Sequence, residues 1–95
     1  MELEVTGPVF TWRGPAPYYF VRVEDPQAAE IEAASRMVSY GCGMIPATLT
    51  LGKTEWYTAL WPKDDLYVIP LKAWVRKAEG IDEDDVVTVR IRIDL

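Results

Sequence analysis

Residues 66–80 constrain this chain more than any other stretch. Leu66, Tyr67, Val68 and Ile69 have the apolar, β-prone character of a strand, and Pro70, which has no backbone donor, is predicted to end it. The period then changes. Leu71, Trp74, Val75 and Ala78 recur at three- and four-residue steps, which predicts one apolar face of a short helix closing a core. Lys72 and Arg76 lie one turn apart on the other side, with Lys77 beside them. Gly80 is a natural C-cap, and the basic residues suit the negative end of the helix dipole. Such a unit cannot bury its apolar residues alone, so the flanking segments must supply partner strands.

They have that character. Residues 3–12 read as a strand through Leu3, Val5, Val9, Phe10 and Trp12, with Gly7-Pro8 fitting an edge or a bulge. Residues 13–17 form a turn by composition, and residues 18–23 a second strand. Asp25 is expected to cap a helix with Pro26 at its first position. Ala28, Ile31, Ala34 and Met37 or Val38 give that helix its apolar face, and it should stop by Tyr40, before Gly41 and Gly43. After a loop, residues 47–51 alternate as a third strand. Gly52-Lys53 is a two-residue hairpin turn, and residues 54–61 are a fourth strand with Trp56, Thr58 and Leu60 on one face. Pro62 to Asp65 make a turn before the central stretch. Beyond that stretch, Ile81 should fold back onto the helix and Asp82 to Asp85 form an acidic turn. Residues 86–95 then alternate strictly, with Val87, Val89, Ile91, Ile93 and Leu95 facing one way.

The order strand, turn, strand, helix, loop, strand occurs twice. Trp12 and Trp61 close the first strand of each half, and Tyr18 and Tyr67 open the second. The fold expected is mainly β: a small closed or split six-stranded β-barrel with two short α-helices. It would be built from pseudo-two-fold duplicated strand-strand-helix-strand halves. The whole chain, residues 1–95, forms one domain, with pseudo-repeats at about 3–51 and 54–95. One chain holds both halves, so a monomer can close the barrel; a dimer stays open as an alternative.

Composition limits the chemistry. The net charge of -5 argues against nucleic acid or an anionic membrane as partner, and no apolar run approaches the length of a membrane span. Cys42 is the single cysteine and cannot form an intramolecular disulfide, and no secretory leader opens the sequence, so a cytoplasmic setting is expected. The chain contains no histidine, which removes Ser-His-Asp chemistry and most zinc sites and leaves Cys42 without the usual base. Neither acidic run, Asp64-Asp65 nor Asp82 to Asp85, has the spacing of a calcium loop.

Gly52-Lys53-Thr54-Glu55-Trp56-Tyr57-Thr58-Ala59-Leu60-Trp61-Pro62 is similar to a "G-x-x-W-x-(T)-(S/A)-L-x-P" strand. Tyr67 to Gly80 resembles a "Y-x-(L/I)-P-(V/L)-K-A-x-(V/I)-R-K-A-x-G" segment. Trp12 and Tyr19-Phe20-Val21 resemble a "W … W/Y-x-F-V" opening. Together these resemble the domain-of-unknown-function family nineteen-oh-five, a set of small, mostly bacterial domains. The resemblance implies a closed or split β-barrel and no established activity. The family usually carries Gly-Asp before its last strand, where this chain has Asp84-Asp85. A weaker resemblance, from Ile69-Pro70 to Gly80, is to the swapped-hairpin barrels of AbrB-type transcription factors.

The function expected is a non-catalytic module binding a small molecule or a protein, with an enzyme disfavoured and no cofactor, metal or catalytic set foreseen. The alternatives are an AbrB-like DNA-binding regulator and a small enzyme acting on an anionic substrate. The candidate binding residues are Lys72, Arg76, Lys77 and Trp61. Trp61 is included because it ends its strand beside Pro62 and should be the exposed tryptophan. The competing reading makes the three cations a solvated helix face paired with the acidic turn at 82–85.

Overall fold

A computed structural model describes residues 1–12, 18–38 and 43–95. The elements run β1 (Glu2–Trp12), β2 (Tyr18–Val23), α1 (Gln27–Val38), β3 (Ile45–Leu51), β4 (Thr54–Lys63), β5 (Leu66–Leu71), α2 (Ala73–Glu79) and β6 (Val86–Arg92). The strands close into a six-stranded barrel in the order β1-β2-β5-β4-β3-β6, and every pairing is antiparallel. Exchanging β1 with β4, β2 with β5 and β3 with β6 leaves this list of neighbours unchanged.

Alternation places one face of each strand inside. Val5, Val21, Leu49, Leu60, Ile69 and Ile91 are among the residues of a single buried core, and Ala28 and Ile31 of α1 and Val75 of α2 belong to the same core. The helices follow β2 and β5, which are antiparallel neighbours, so they cover opposite ends of the barrel. Closure this way lets a short chain remove its sheet edges and bury whole side chains. Each fully buried Ile or Val adds about 1.5–3 kcal/mol of transfer free energy.

The two long strands are each shared between neighbours. β1 pairs with β6 over Glu2 to Pro8 and with β2 over Val9 to Trp12. β4 pairs with β3 over Thr54 to Leu60 and with β5 only over Trp61 to Lys63. Gly7-Pro8 therefore marks the point where β1 passes from one ladder to the other. On the far side of that point, Val9 donates to the Asp85 carbonyl and accepts from the Asp84 amide, both at 2.8 Å. Asp84 has φ 72, so it adopts the left-handed conformation that glycine supplies more cheaply. Asp85 holds the turn with its carboxylate, which accepts from the Asp82 amide at 2.8 Å.

Several local expectations need correcting. Pro70 does not end β5, which continues to Leu71 with Pro70 opposite Phe20. The missing donor matters little there, because β5 has already parted from β4 at Val68. Leu71 is consequently a strand residue, and α2 begins after Lys72. Of the predicted apolar helix face, Leu71 is buried from the strand and within α2 only Val75 is buried. Trp74 is 53 % exposed and Ala78 is exposed too, because a two-turn helix lying across a barrel mouth inserts one side chain. Trp74, rather than Trp61, is the most exposed tryptophan, and Trp61 is half-buried. In α1 the helix starts at Gln27, after a cis Asp25-Pro26 peptide, and the Ala28 amide bonds to the Glu24 carbonyl at 2.9 Å. Met37 is 73 % exposed, while Ala28, Ile31 and Ala34 are buried. Tyr18 and Tyr67 are not equivalent: Tyr18 is exposed and Tyr67 lies in the core. The turn at 13–17, the end of the first helix near Tyr40 and the loop carrying Cys42 lie outside the described residues.

Candidate functional site

The outer face of the β1-β2-β5-β4 side carries an unusual load. Phe20 is fully buried yet points away from the barrel core, since its neighbours Val21 and Tyr19 take the inner face. Its cover is aromatic. Trp12 and Trp61 meet it edge-on at centroid distances of 4.8 and 5.2 Å, and Phe10 lies at 5.9 Å. Such contacts add about 0.5–1.5 kcal/mol each beyond area burial. The Trp12 and Trp61 rings are themselves 6.3 Å apart. Lys63 sits over Trp12 at 4.0 Å and Arg22 over Phe10 at 5.2 Å, so cations rim the cluster.

Beside this cluster the barrel wall opens. The β4–β5 ladder ends at Trp61 opposite Val68, although β4 extends back to Thr54 and β5 on to Leu71. Side chains bridge the gap. The Trp56 indole N–H donates to the Pro70 carbonyl at 3.3 Å, and Lys72 Nζ donates to the Tyr57 carbonyl at 3.4 Å. Beyond the end of the β1–β2 ladder, Gln27 Nε2 donates to the Glu4 carbonyl at 3.2 Å.

A cleft of about 390 Å³ lies at the β4–β5 opening, between the ends of these strands and the first turn of α2. That volume falls within the roughly 300–1,000 Å³ usual for small-molecule sites. Tyr18, Tyr19, Trp61, Pro70 and Leu71 give it apolar walls, and Lys72 and Arg76 are its cations; no carboxylate lines it among the described residues. Tyr18 and Trp61 approach to 6.4 Å with ring planes 60° apart.

Arg76 is the most constrained of these groups. Its guanidinium carbon lies 3.5 Å from the centre of the Tyr19 ring, a close cation–π stack. Its Nε is buried without a hydrogen-bond partner, the one such side-chain atom among the described residues. A buried donor left unpaired costs about 1–3 kcal/mol, so the stack is what retains the side chain there. The expected pairing with the acidic turn does not occur. Among the described residues the ion pairs are Lys63–Asp64 and Arg92–Asp94, and Lys72, Arg76 and Lys77 take part in neither. The turn carboxylates are used locally instead, Asp85 by the Asp82 amide and Glu83 by the Thr11 hydroxyl at 2.6 Å.

Three of the four sequence candidates, Trp61, Lys72 and Arg76, thus line one cleft. Lys77 does not; it borders a shallow polar hollow with Gly80 and Asp82. Sequence reasoning missed Tyr18 and Tyr19, whose place in the site depends on the pairing of β2 with β5. The signal available was their neighbourhood with Phe20 in an aromatic run. Arg90 and Arg92 stand opposite Glu4 and Glu2 in the ladder, a mixed field and not a basic patch. No group of acids, cysteine or histidine suited to a metal exists among the described residues. No described helix is long and apolar enough to cross a membrane.

The model of one family, described as a domain of unknown function (DUF1905), matches residues 6–91. No curated protein matches the chain.

Proposed function

The chain belongs to the DUF1905 family, a membership that carries no assigned activity, and we propose that it is a non-catalytic module that binds a small molecule in the β4–β5 cleft. The observation that carries this reading is the cleft itself. The wall of an otherwise closed barrel parts beside an aromatic cluster, and an arginine without a carboxylate partner is held at the opening. Small-molecule sites combine such apolar walls with a few fixed polar groups. Among the described residues, neither a nucleophile with a base nor a paired set of carboxylates lines the cleft, which favours binding over turnover. The DNA-binding alternative gains nothing from the outer strands, where arginines and glutamates interleave.

Amide chemical-shift mapping with a mixed library of low-molecular-weight compounds tests the reading. Hits should perturb Tyr18, Tyr19, Trp61 and Ala73 together. Hits that cluster elsewhere, with these residues unmoved, would overturn it.

A further inference from the structure

We propose that the ligand of this cleft is a small aromatic carboxylate, its charge held by Arg76 and Lys72 and its ring by Trp61 and Tyr18. The inference rests on the binding reading above and names the ligand class for that same site.

The charge follows from the cations. Lys72 and Arg76 both line the cleft, and among the described residues neither is in an ion pair and no acid lines the walls. The chain as a whole is acidic, with a net charge of -5. Two uncompensated cations concentrated at one apolar opening therefore make a local positive field there.

The carboxylate follows from how Arg76 is held. Its guanidinium is stacked on Tyr19, so one of its faces is covered, and its Nε is shut away from solvent. What remains for recognition is the in-plane edge formed by the two Nη groups. That edge matches the spacing and planarity of a carboxylate, which it binds through two parallel hydrogen bonds. Stacking on Tyr19 limits the rotations that the side chain would otherwise lose on binding, which lowers the cost of using it. Lys72 donates only a long 3.4 Å hydrogen bond to the Tyr57 carbonyl and is exposed. It can exchange that contact for a ligand oxygen.

The ring follows from the walls. Tyr18 and Trp61 face the same space at a 60° tilt, with Pro70 and Leu71 beside them. A flat ring inserted there meets aromatic faces and edges in the offset and edge-on geometries that aromatic pairs prefer. An aliphatic acid of equal length would gain the charge contact and forgo these.

Chemical-shift titration of the ¹⁵N-labelled protein with 2-naphthoate, 2-naphthamide and acetate tests the assignment. The expected result is a saturable shift of the Trp61 indole N–H and the Tyr19 amide with naphthoate. Naphthamide should bind about tenfold more weakly, because its neutral amide lacks the charge-assisted pair, and acetate more weakly still. Arg76→Lys keeps the charge and loses the planar edge, so it should weaken naphthoate at least fivefold and naphthamide by clearly less. Its unperturbed spectrum away from the cleft would verify folding. Equal affinity for naphthoate and naphthamide at the cleft would overturn the anion assignment and leave the binding reading standing. Naphthoate binding at Arg90 and Arg92, with the cleft hits of the library screen intact, would likewise overturn only the assignment. Failure of both the library and these probes to move any cleft residue would overturn the two together.

Discussion

Gly52→Ala should destabilise the protein through a residue far away in sequence, Glu79. Gly52 lies in the β3–β4 turn with φ 60, and the turn closes with Leu51 opposite Thr54. A Cβ at position 52 would overlap the Glu79 carboxylate, whose Cδ would stand only 2.9 Å away. That carboxylate ends α2 and accepts a 2.5 Å hydrogen bond from the Thr54 hydroxyl, which is 9 % exposed. Glutamate is normally the wrong charge for a helix C-terminus, so this bond and the space above Gly52 are what position it. The left-handed backbone alone should cost alanine about 1 kcal/mol. Displacing the carboxylate from Thr54 should add about 1.5–3 kcal/mol, the range for hydrogen bonds to charged groups. Urea denaturation of Gly52→Ala, Glu79→Ala and the double variant separates the two. The total loss expected for Gly52→Ala is about 2.5–4 kcal/mol in the parent, falling to about 1 kcal/mol once Glu79 is alanine. Additive losses, within the roughly 0.5 kcal/mol typical of independent sites, would refute the coupling.

Phe20→Ala should cost about 3–5 kcal/mol in chemical denaturation despite facing away from the barrel core, because the ring is fully buried between Trp12 and Trp61. The same variant should expose both indoles and shift the tryptophan emission to longer wavelength in the folded state. Asp84→Gly should stabilise by about 0.5–1 kcal/mol, since the φ of 72 penalises any side chain and Asp84 is exposed; a lower thermal midpoint would contradict this. Trp74→Gln should change stability by no more than about 0.5 kcal/mol, as expected for a side chain 53 % exposed on α2. A large loss there would mean that Trp74 closes the barrel after all.

The strands were legible because alternation is a local signal that closure of the barrel does not disturb. Residues 47–51, which become most of β3, and 86–92, the whole of β6, alternate in sequence as they do in the fold. So do the hairpin at Gly52-Lys53 and the cap at Gly80, each set by one backbone conformation. The errors share a different cause. Proline's missing donor suggests a stop at Pro70, but a donor is needed only where a neighbour accepts, and β4 has already parted from β5 there. Helical periodicity puts Trp74 on the inner face, but it does not say how much of a two-turn helix a barrel mouth can cover. Both depend on where β4 leaves β5, which is a property of the closed barrel and not of any window of sequence.

The same feature explains why the site was half readable. Strand end and helix face point to Trp61, Lys72 and Arg76, and they do meet, because the parting of β4 from β5 brings the end of one strand beside the helix that follows the other. Tyr18 and Tyr19 enter the same cleft only because β2 pairs with β5, residue Tyr19 opposite Leu71, across a sequence separation that no local pattern encodes. Lys77 follows Arg76 in the chain, yet the helical turn sends it to a different surface. What distinguishes Arg76 from Lys77 is therefore Tyr19. The ring that holds the guanidinium flat also turns an ordinary surface arginine into a preoriented cation at the opening of the barrel wall. Removing that ring with Tyr19→Ala should free Arg76 to the solvent and weaken naphthoate binding about as much as Arg76→Lys does. If affinity survives Tyr19→Ala unchanged, the stack is packing alone and the orientation of Arg76 contributes nothing to recognition.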